Sequence, residues 1–456
     1  MTIMEDKMKK VITYGTFDLF HQGHYNLLNR AKQQGDYLIV GVTTENYDNS
    51  RGKLNVQESL MQRIQNVKDS GLADEIIIEE YEGQKIEDIL KHKVDKFVIG
   101  SDWKGKFDYL SEYCEVIYLD RTKGISSTEL REIRNKVIKL GVVGAGRIAN
   151  RFIVESKYVS GVNVEGVFGV SKIELENFVE KHELSFYEMD YDKFLDKVDA
   201  VYVASPHLTH YEYIKKALNS GKHVLSEKPM VLDTAQAYEL YDLAKQKDLV
   251  LLEAIKTAYS PGFQRMITLA KSGAIGTIKD VEATFTKLTT GELRELDYDQ
   301  AGGSITELGT YPLIAIIKLL GTEIKDIDFY SNFDEDRQVD LYTKAYFKYQ
   351  NAIATAKVGL GVKSEGELII SGTRGYIYVP APWWKTEHFE VRYENPNENK
   401  KYYYKFEGDG LRYELSEFIN MINNKQLTSY KLTPEESTTI IRVIEKFRKE
   451  EPAYKF

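Results

Sequence analysis

Cysteine is almost missing from this chain. Cys114 is the only one in 456 residues, which excludes an internal disulfide framework and a cysteine-cluster zinc site. A basic excess is missing as well: the net charge is −9 and no basic block dominates any segment, which argues against nucleic acid as a partner. The N-terminus has charges but no apolar stretch of the signal-peptide kind, and no run approaches the ~18 apolar residues of a membrane span. No membrane insertion and a cytoplasmic location are therefore expected. Internal repeats, low-complexity blocks and a Pro- or Gly/Ser-rich tether are absent too. What remains is a chain with 42% hydrophobic residues, enough for about three domains with full cores.

Val11-Ile12-Thr13-Tyr14 reads as a buried strand, and Tyr25 to Ala31 has the apolar spacing of an amphipathic helix. Between them, Gly15-Thr16-Phe17-Asp18-Leu19-Phe20-His21-Gln22-Gly23-His24 forms a strand-to-helix turn that presents two histidines. Unpaired N–H groups at a helix start attract anions, and imidazole donors can follow the charge that builds as a phosphoanhydride breaks. Gly23 lets the backbone approach such a ligand. Downstream stand Gly100-Ser101-Asp102-Trp103 and Arg121-Thr122-Lys123-Gly124-Ile125-Ser126-Ser127-Thr128. Arg121 is a permanently charged fork suited to phosphate oxygens, and Ser126 with Glu129 spells an S-x-x-E capping box.

In this order and spacing the motifs resemble the glycerol-3-phosphate cytidylyltransferase family, over residues 8–135. The resemblance implies a Rossmann-like nucleotidyltransferase fold in which His21, His24 and Arg121 act on the CTP phosphates and carry the rate. It places Asp102 and Trp103 near the cytosine, and closes Arg121, Gly124, Ile125, Ser126, Ser127 and Thr128 over the triphosphate. Gly15, Thr16 and Phe17 line the same turn, while Lys53 and Arg63 fill the positions of a lysine-bearing loop and a helix arginine facing the phosphates. Mg²⁺ should arrive with CTP, held mainly by phosphate oxygens, since no dedicated carboxylate cluster is visible and no protein metal site is expected.

After residue 135 a second α/β pattern starts at once. Val137 to Val143 is a strand, and Gly144-Ala145-Gly146-Arg147-Ile148-Ala149 opens a helix in the G-x-G-x-x-[GA] turn that admits a pyrophosphate. Strands at Val162–Gly169, Ala200–Ala204 and Gly221–Leu225 continue the βαβ alternation. Ser205-Pro206-His207 with His210, Glu227-Lys228-Pro229, Glu253-Ala254, and Gly302-Gly303-Ser304 leading to Glu307-Leu308-Gly309-Thr310-Tyr311 complete the set. From residue 136 onward the chain resembles the glucose–fructose oxidoreductase and inositol dehydrogenase superfamily. The resemblance implies a Rossmann domain over 136–257 and an α+β domain with a mostly antiparallel open sheet over 258–456, following the cytidylyltransferase domain over 1–135. Alternation over Ile278–Thr286, Asp340–Tyr349 and Ala352–Val358 fits strands of that sheet, and Thr433-Pro434-Glu435-Glu436 starts a helix expected to run to Lys449.

By the same resemblance Lys228 sits between nicotinamide and substrate and positions the carbonyl oxygen. Tyr311 stands where many members have histidine, and Ile314 where they have aspartate, so Tyr311 is assigned as proton donor, as in the dihydrodiol-dehydrogenase branch. The Lys228 ammonium is expected to lower its pKa. Gly144, Gly146, Arg147, Ile148, Ser205, Pro206, His210, Glu227 and Lys228 are the cofactor-binding candidates. The end of the second strand, Val167-Phe168-Gly169-Val170-Ser171-Lys172, lacks the acid that binds a ribose 2′-hydroxyl; Ser171 and Lys172 favour NADP over NAD. The paired Trp383-Trp384 reads as packing rather than as a cleft wall.

One chain thus promises a reductase that makes a polyol phosphate from a sugar or triose phosphate, and a cytidylyltransferase that activates it to a CDP-alditol for teichoic-acid-like or capsular polymers. Two alternatives are a non-catalytic nicotinamide-binding half that regulates the transferase, and reduction after cytidylylation. Both resemblances imply a homo-oligomer acting on small molecules.

Overall fold

Val11 and Ile12 are both fully buried although they point to opposite faces of one strand, as in a parallel sheet covered on both sides. Val11 packs with Leu38, Val40 and Val98; Ile12 packs with Ile39, Phe97 and Ile99. The computed structural model describes residues 8–50, 56, 58–120, 137–291, 293–450 and 454–455. The chain divides into two compact units, Met1–Lys136 and Val137–Phe456.

The first unit contains β1 (Lys10–Gly15), β2 (Tyr37–Thr43), β3 (Glu75–Glu79), β4 (Lys96–Gly100) and β5 (Glu115–Leu119), in the spatial order β3-β2-β1-β4-β5. All pairings are parallel. Winding reverses at β1, which has β2 on one side and β4 on the other, and such a reversal opens a crevice beyond the strand's carboxyl end. The turn carrying the histidines leaves β1 at that point.

The second unit repeats the logic with β6 (Ile138–Val143), β7 (Val162–Phe168), β8 (Phe186–Glu188), β9 (Ala200–Val203), β10 (His223–Glu227) and β11 (Leu251–Ala254). These are parallel in the order β11-β10-β9-β6-β7-β8, with the reversal at β6. The glycine turn follows β6 directly.

The same unit continues with β12 (Ile278–Thr286), β13 (Asp326–Asp334), β14 (Val339–Lys348), β15 (Ile353–Gly359), β16 (Leu368–Gly372), β17 (Gly375–Val379), β18 (His388–Tyr393), β19 (Lys400–Tyr403) and β20 (Tyr454–Lys455). They form a mixed sheet, β19-β18-β17-β16-β12-β15-β14-β13-β20, antiparallel except at β12–β15 and β13–β20. The buried apolar helix Thr310–Leu320 packs on β12 and carries Tyr311 in its first turn. Among the described residues no single helix is long and apolar enough to cross a membrane.

Helix Pro434–Lys449 begins where the sequence marks it, and its capping box is complete: Thr433 Oγ1 accepts the Glu436 N–H at 3.2 Å while Glu436 Oε2 accepts the Thr433 N–H at 2.9 Å. Ser437 of this helix donates to Glu253 Oε2 at the end of β11, and Glu253 Oε1 accepts the Met230 N–H at 2.9 Å. Glu253 is fully buried, and burial pushes its pKa up to about 7 from 4.5. The folded chain therefore holds a proton there that the unfolded chain has released; this stabilisation is complete below pH 4.5 and is lost as pH rises through 7. Glu253→Gln, which mimics the protonated acid, should remove that dependence. Its stability relative to the natural protein should increase by on the order of 2 kcal/mol between about pH 5 and 7, read by denaturant unfolding across pH. A difference that stays constant over the range would rule out titration at Glu253.

Candidate active sites

The turn after β1 holds an unfavourable backbone shape: Phe17 and Leu19 have φ of 52° and 49°, in the left-handed region that costs a non-glycine residue energy. A polar network holds it there. Thr16 Oγ1 and Thr43 Oγ1 donate to the two oxygens of buried Asp48 at 2.8 and 2.6 Å. Glu58 Oε2 accepts the Leu19 N–H at 2.8 Å, and Asp18 Oδ1 accepts the Glu58 N–H at 2.9 Å. Beneath lies Arg63, whose guanidinium donates to the carbonyls of Thr16, Thr43 and Glu58 at 2.9, 2.8 and 3.0 Å.

Arg63 differs from the expectation of a phosphate-facing side chain. It is fully buried, 3.4 Å from Asp48, and acts on the shape of the turn from below. Helical spacing shows that a residue lies on an inner face but not how many carbonyls will converge on it.

His21 caps the helix Gln22–Lys32: its Nδ1 accepts the Gly23 N–H at 3.0 Å. A neutral ring that accepts at Nδ1 carries its proton on Nε2. The His21 and His24 rings are stacked with centroids 3.9 Å apart, and His24 also packs against Phe17 and Phe20 at 5.4 and 5.6 Å. Both imidazoles are thus fixed at the crevice where β1 ends next to Gly15 and Thr16. Asp102 and Trp103 form a short 3₁₀ turn at the carboxyl end of the adjacent β4, with the Trp103 ring 5.8 Å from that of Phe107. Lys53, Arg121, Gly124, Ile125, Ser126, Ser127 and Thr128, with the Ser126–Glu129 capping box, lie outside the described residues.

In the second unit, Gly144 has φ 102°, and a Cβ there would come within 2.9 Å of the Ala204 carbonyl. Gly146 caps the helix Arg147–Ser156 with no side-chain hydrogen bond, and a Cβ on it would meet nothing within 4 Å. A helix start without a side-chain cap, next to open space, fits a dinucleotide pyrophosphate. Ile148 is in the first turn of this helix. Arg147 is paired instead with Glu295, 148 residues away, so the cofactor turn is joined to the loop before Gly302. Ser171 precedes the helix Lys172–His182 without capping it, and Lys172 is an exposed residue 3.7 Å from Glu176.

His210 is fully buried, its ring nitrogens 3.0 Å from the Pro229 carbonyl and 2.8 Å from the Ser205 carbonyl. It holds the Ser205-Pro206 turn against the segment after Lys228. Thr209 Oγ1 donates to Ser205 Oγ at 2.8 Å. His207 accepts from Arg294 at 3.3 Å, and Arg294 pairs with Glu307 at 3.0 Å. Burial, then the positive surroundings, hold the His207 imidazole well below its ordinary pKa, so it stays neutral. These cross-links from Arg294 and Glu295 were not foreseen from the sequence, because partners so far apart leave no periodic signal.

At the end of β10, Glu227 is buried and accepts from Tyr202 Oη at 2.5 Å. Lys228 Nζ donates to the Glu307 carbonyl at 3.0 Å and lies 5.9 Å from the centre of the Tyr311 ring. Phe285 packs on Tyr311 at 5.0 Å and Trp384 stacks on Phe285 at 3.7 Å, so Trp384 belongs to the wall behind the tyrosine, whereas Trp383 is fully buried. The Tyr311 phenol departs from expectation. Burial first, then the carboxyls of Glu227 and Glu414, push its pKa up from 10.0, against the downward pull anticipated from Lys228. The phenol keeps its proton, as a proton donor must.

Three family models match the chain: cytidylyltransferase-like over residues 12–133, the oxidoreductase family NAD-binding Rossmann fold over 138–254, and the GFO/IDH/MocA C-terminal domain over 263–378. A glycerol-3-phosphate cytidylyltransferase of Bacillus spizizenii is 56% identical over 125 residues, 27% of this chain and 96% of the relative. A scyllo-inositol 2-dehydrogenase (NADP(+)) of Bacillus subtilis is 26% identical over 329 residues, 69% of this chain and 97% of the relative. A solved 3-ketoreductase of Actinomadura kijaniata, in complex with NADP and TDP-benzene, superposes with a TM-score of 0.64 at 22% identity, covering 70% of this chain and 99% of that one.

Proposed function

We propose that this chain, which belongs to the cytidylyltransferase-like family through its first unit and to the GFO/IDH/MocA oxidoreductases through its second, makes and then activates a polyol phosphate. It is an NAD(P)-dependent oxidoreductase fused to a cytidylyltransferase. The observation that carries the two-step reading is the paired Lys228 and Tyr311, 5.9 Å apart, in the unit joined to the transferase: a purely regulatory half would need neither.

In the first step a nicotinamide held at the Gly144-Ala145-Gly146 turn would supply a hydride to the carbonyl carbon of a keto- or aldo-sugar phosphate or a triose phosphate. Lys228 holds the carbonyl oxygen and Tyr311 gives it a proton, so that carbonyl becomes alcohol. In the second step a phosphate oxygen of that product bonds to the α-phosphorus of CTP, the bond to the β-phosphate oxygen breaks, and pyrophosphate leaves. The acceptor is already ionised and needs little help from a base, so His21, His24 and Arg121 serve chiefly to place and stabilise charge. Mg²⁺ enters with CTP. Ser171 and Lys172 support NADP as the preferred carrier, and the CDP-alditol would feed a teichoic-acid-type or capsular polymer.

The test is mass spectrometry of products after supplying CTP and NADPH or NADH with dihydroxyacetone phosphate, ribulose 5-phosphate, xylulose 5-phosphate and fructose 6-phosphate in turn. A CDP-alditol that forms only when both nucleotides are present is expected. Reduction that begins only after CTP is added would reverse the order of steps, and no substrate-dependent oxidation with any of them would favour a regulatory second half. Gly146→Val supplies a narrower check. With open space around that position, thermal unfolding should be unchanged, while NADPH affinity should fall roughly tenfold or more by fluorescence titration.

A further inference from the structure

Glu227 and Ala254 are neighbours across the parallel β10–β11 pair. Lys228 follows the first and Lys256 lies just beyond the second, so two lysines emerge at the same carboxyl edge of the sheet, where ligands of such sheets bind. They differ in their surroundings. Lys228 donates to the Glu307 carbonyl, whereas Lys256 is partly buried, which pulls its pKa down, and among the described residues no carboxylate oxygen comes within the 4.0 Å of an ion pair.

Three carboxyls stand near it, none of them within ion-pair distance of its Nζ. Helix Leu411–Asn423 packs against the short helix Lys256–Tyr259, helix Arg147–Ser156 and strands β10 and β11; it carries Glu414, and Asp409 stands just before it. Asp409 is bound by Arg151 through two contacts at 2.6 and 2.5 Å. Glu227 accepts from Tyr202. Glu414 is fully buried, among the described residues neither of its oxygens is hydrogen-bonded, and burial pushes its pKa well up. An ammonium removed from water without a counter-ion is costly, and an anionic ligand offsets that cost. Through the β10–β11 register Lys256 shares the carboxyl edge of the sheet with Lys228, so the cationic ground adjoins the reacting centre.

Resting on the reductase reading above, we propose that Lys256 binds the phosphate of the carbonyl substrate and so selects phosphorylated over unphosphorylated substrates. The anion seat would leave the carbonyl to Lys228 and Tyr311.

The test uses the full chain with Lys256→Met, Lys256→Gln and Lys256→Arg. With NADP and CTP saturating, calorimetric titration with inorganic phosphate should show binding to the natural protein that weakens by roughly 10-fold or more in the Met and Gln variants and is partly restored by Arg. In steady-state assays, the preference for dihydroxyacetone phosphate over dihydroxyacetone, as a ratio of kcat/KM, should fall by about 10- to 100-fold in both uncharged variants, mainly through KM. NADPH affinity serves as the control for folding. Equal phosphate affinity in Lys256→Met and the natural protein, or an unchanged preference ratio, overturns the anion seat even if CDP-alditol is still made. If the natural protein reduces no phosphorylated carbonyl, yet loses phosphate binding on Lys256→Met, the anion seat stands and the reductase reading falls.

Discussion

Alanine at His21 or His24 should slow CDP-product formation by roughly 10²- to 10⁴-fold while NAD(P)H oxidation continues at the natural rate. The expectation rests on geometry: two rings 3.9 Å apart, fixed by a cap bond and by Phe17 and Phe20, at the start of a helix. His21 also has a structural duty, since losing its cap bond to Gly23 costs about 1 kcal/mol. His21→Asn separates the two, because a short amide can still accept the Gly23 N–H but cannot place a ring donor on a phosphate. If Asn restored the transferase rate, the histidine would be a cap and no more. Equal loss of both activities in the alanine variants would refute the independence of the two steps.

Tyr311→Phe should reduce carbonyl reduction by about 10³-fold, within the range expected when a positioned acid is removed, with cytidylyl transfer to a supplied polyol phosphate unchanged. Lys228→Ala should match it, since without the ammonium neither the carbonyl oxygen nor the Glu307 carbonyl has its donor. The raised phenol pKa adds a pH signature. A tyrosine whose pKa lies above 10.0 does not titrate in the working range, so reduction should have no alkaline limb from this residue below pH 10. A limb near pH 8 that disappears in Tyr311→Phe would mean that substrate or cofactor lowers the phenol's pKa after all.

Local chemistry was legible in the sequence wherever one short segment decided the outcome. Alternation placed β12 at Ile278–Thr286, Thr433-Pro434 placed the last long helix, and the Gly144-Ala145-Gly146 turn announced the crevice after β6. Two resemblances supplied the fold of both units. The parts that stayed hidden depend on distant residues meeting. Arg63 reads as a phosphate ligand until the Thr16 and Thr43 carbonyls are seen around it, and Tyr311 reads as acidified until the desolvation of its pocket and the carboxyls of Glu227 and Glu414 are counted. Lys256 has no motif at all; only the register of β10 against β11 brings it alongside Lys228.

The three tryptophans, 103, 383 and 384, occupy three different settings. Trp383 is sealed in the core, donates its indole N–H to the Thr284 carbonyl at 2.8 Å and packs edge-to-face on Trp384 with ring centres 6.3 Å apart. Trp103 is in the turn beyond β4, and Trp384 is stacked on the ring that backs Tyr311. On the proposed reading, Trp103 and Trp384 report on the two chemistries separately. With Trp103→Phe and Trp384→Phe as blanks, CTP and the carbonyl compound can each be watched arriving by light alone, before either has reacted.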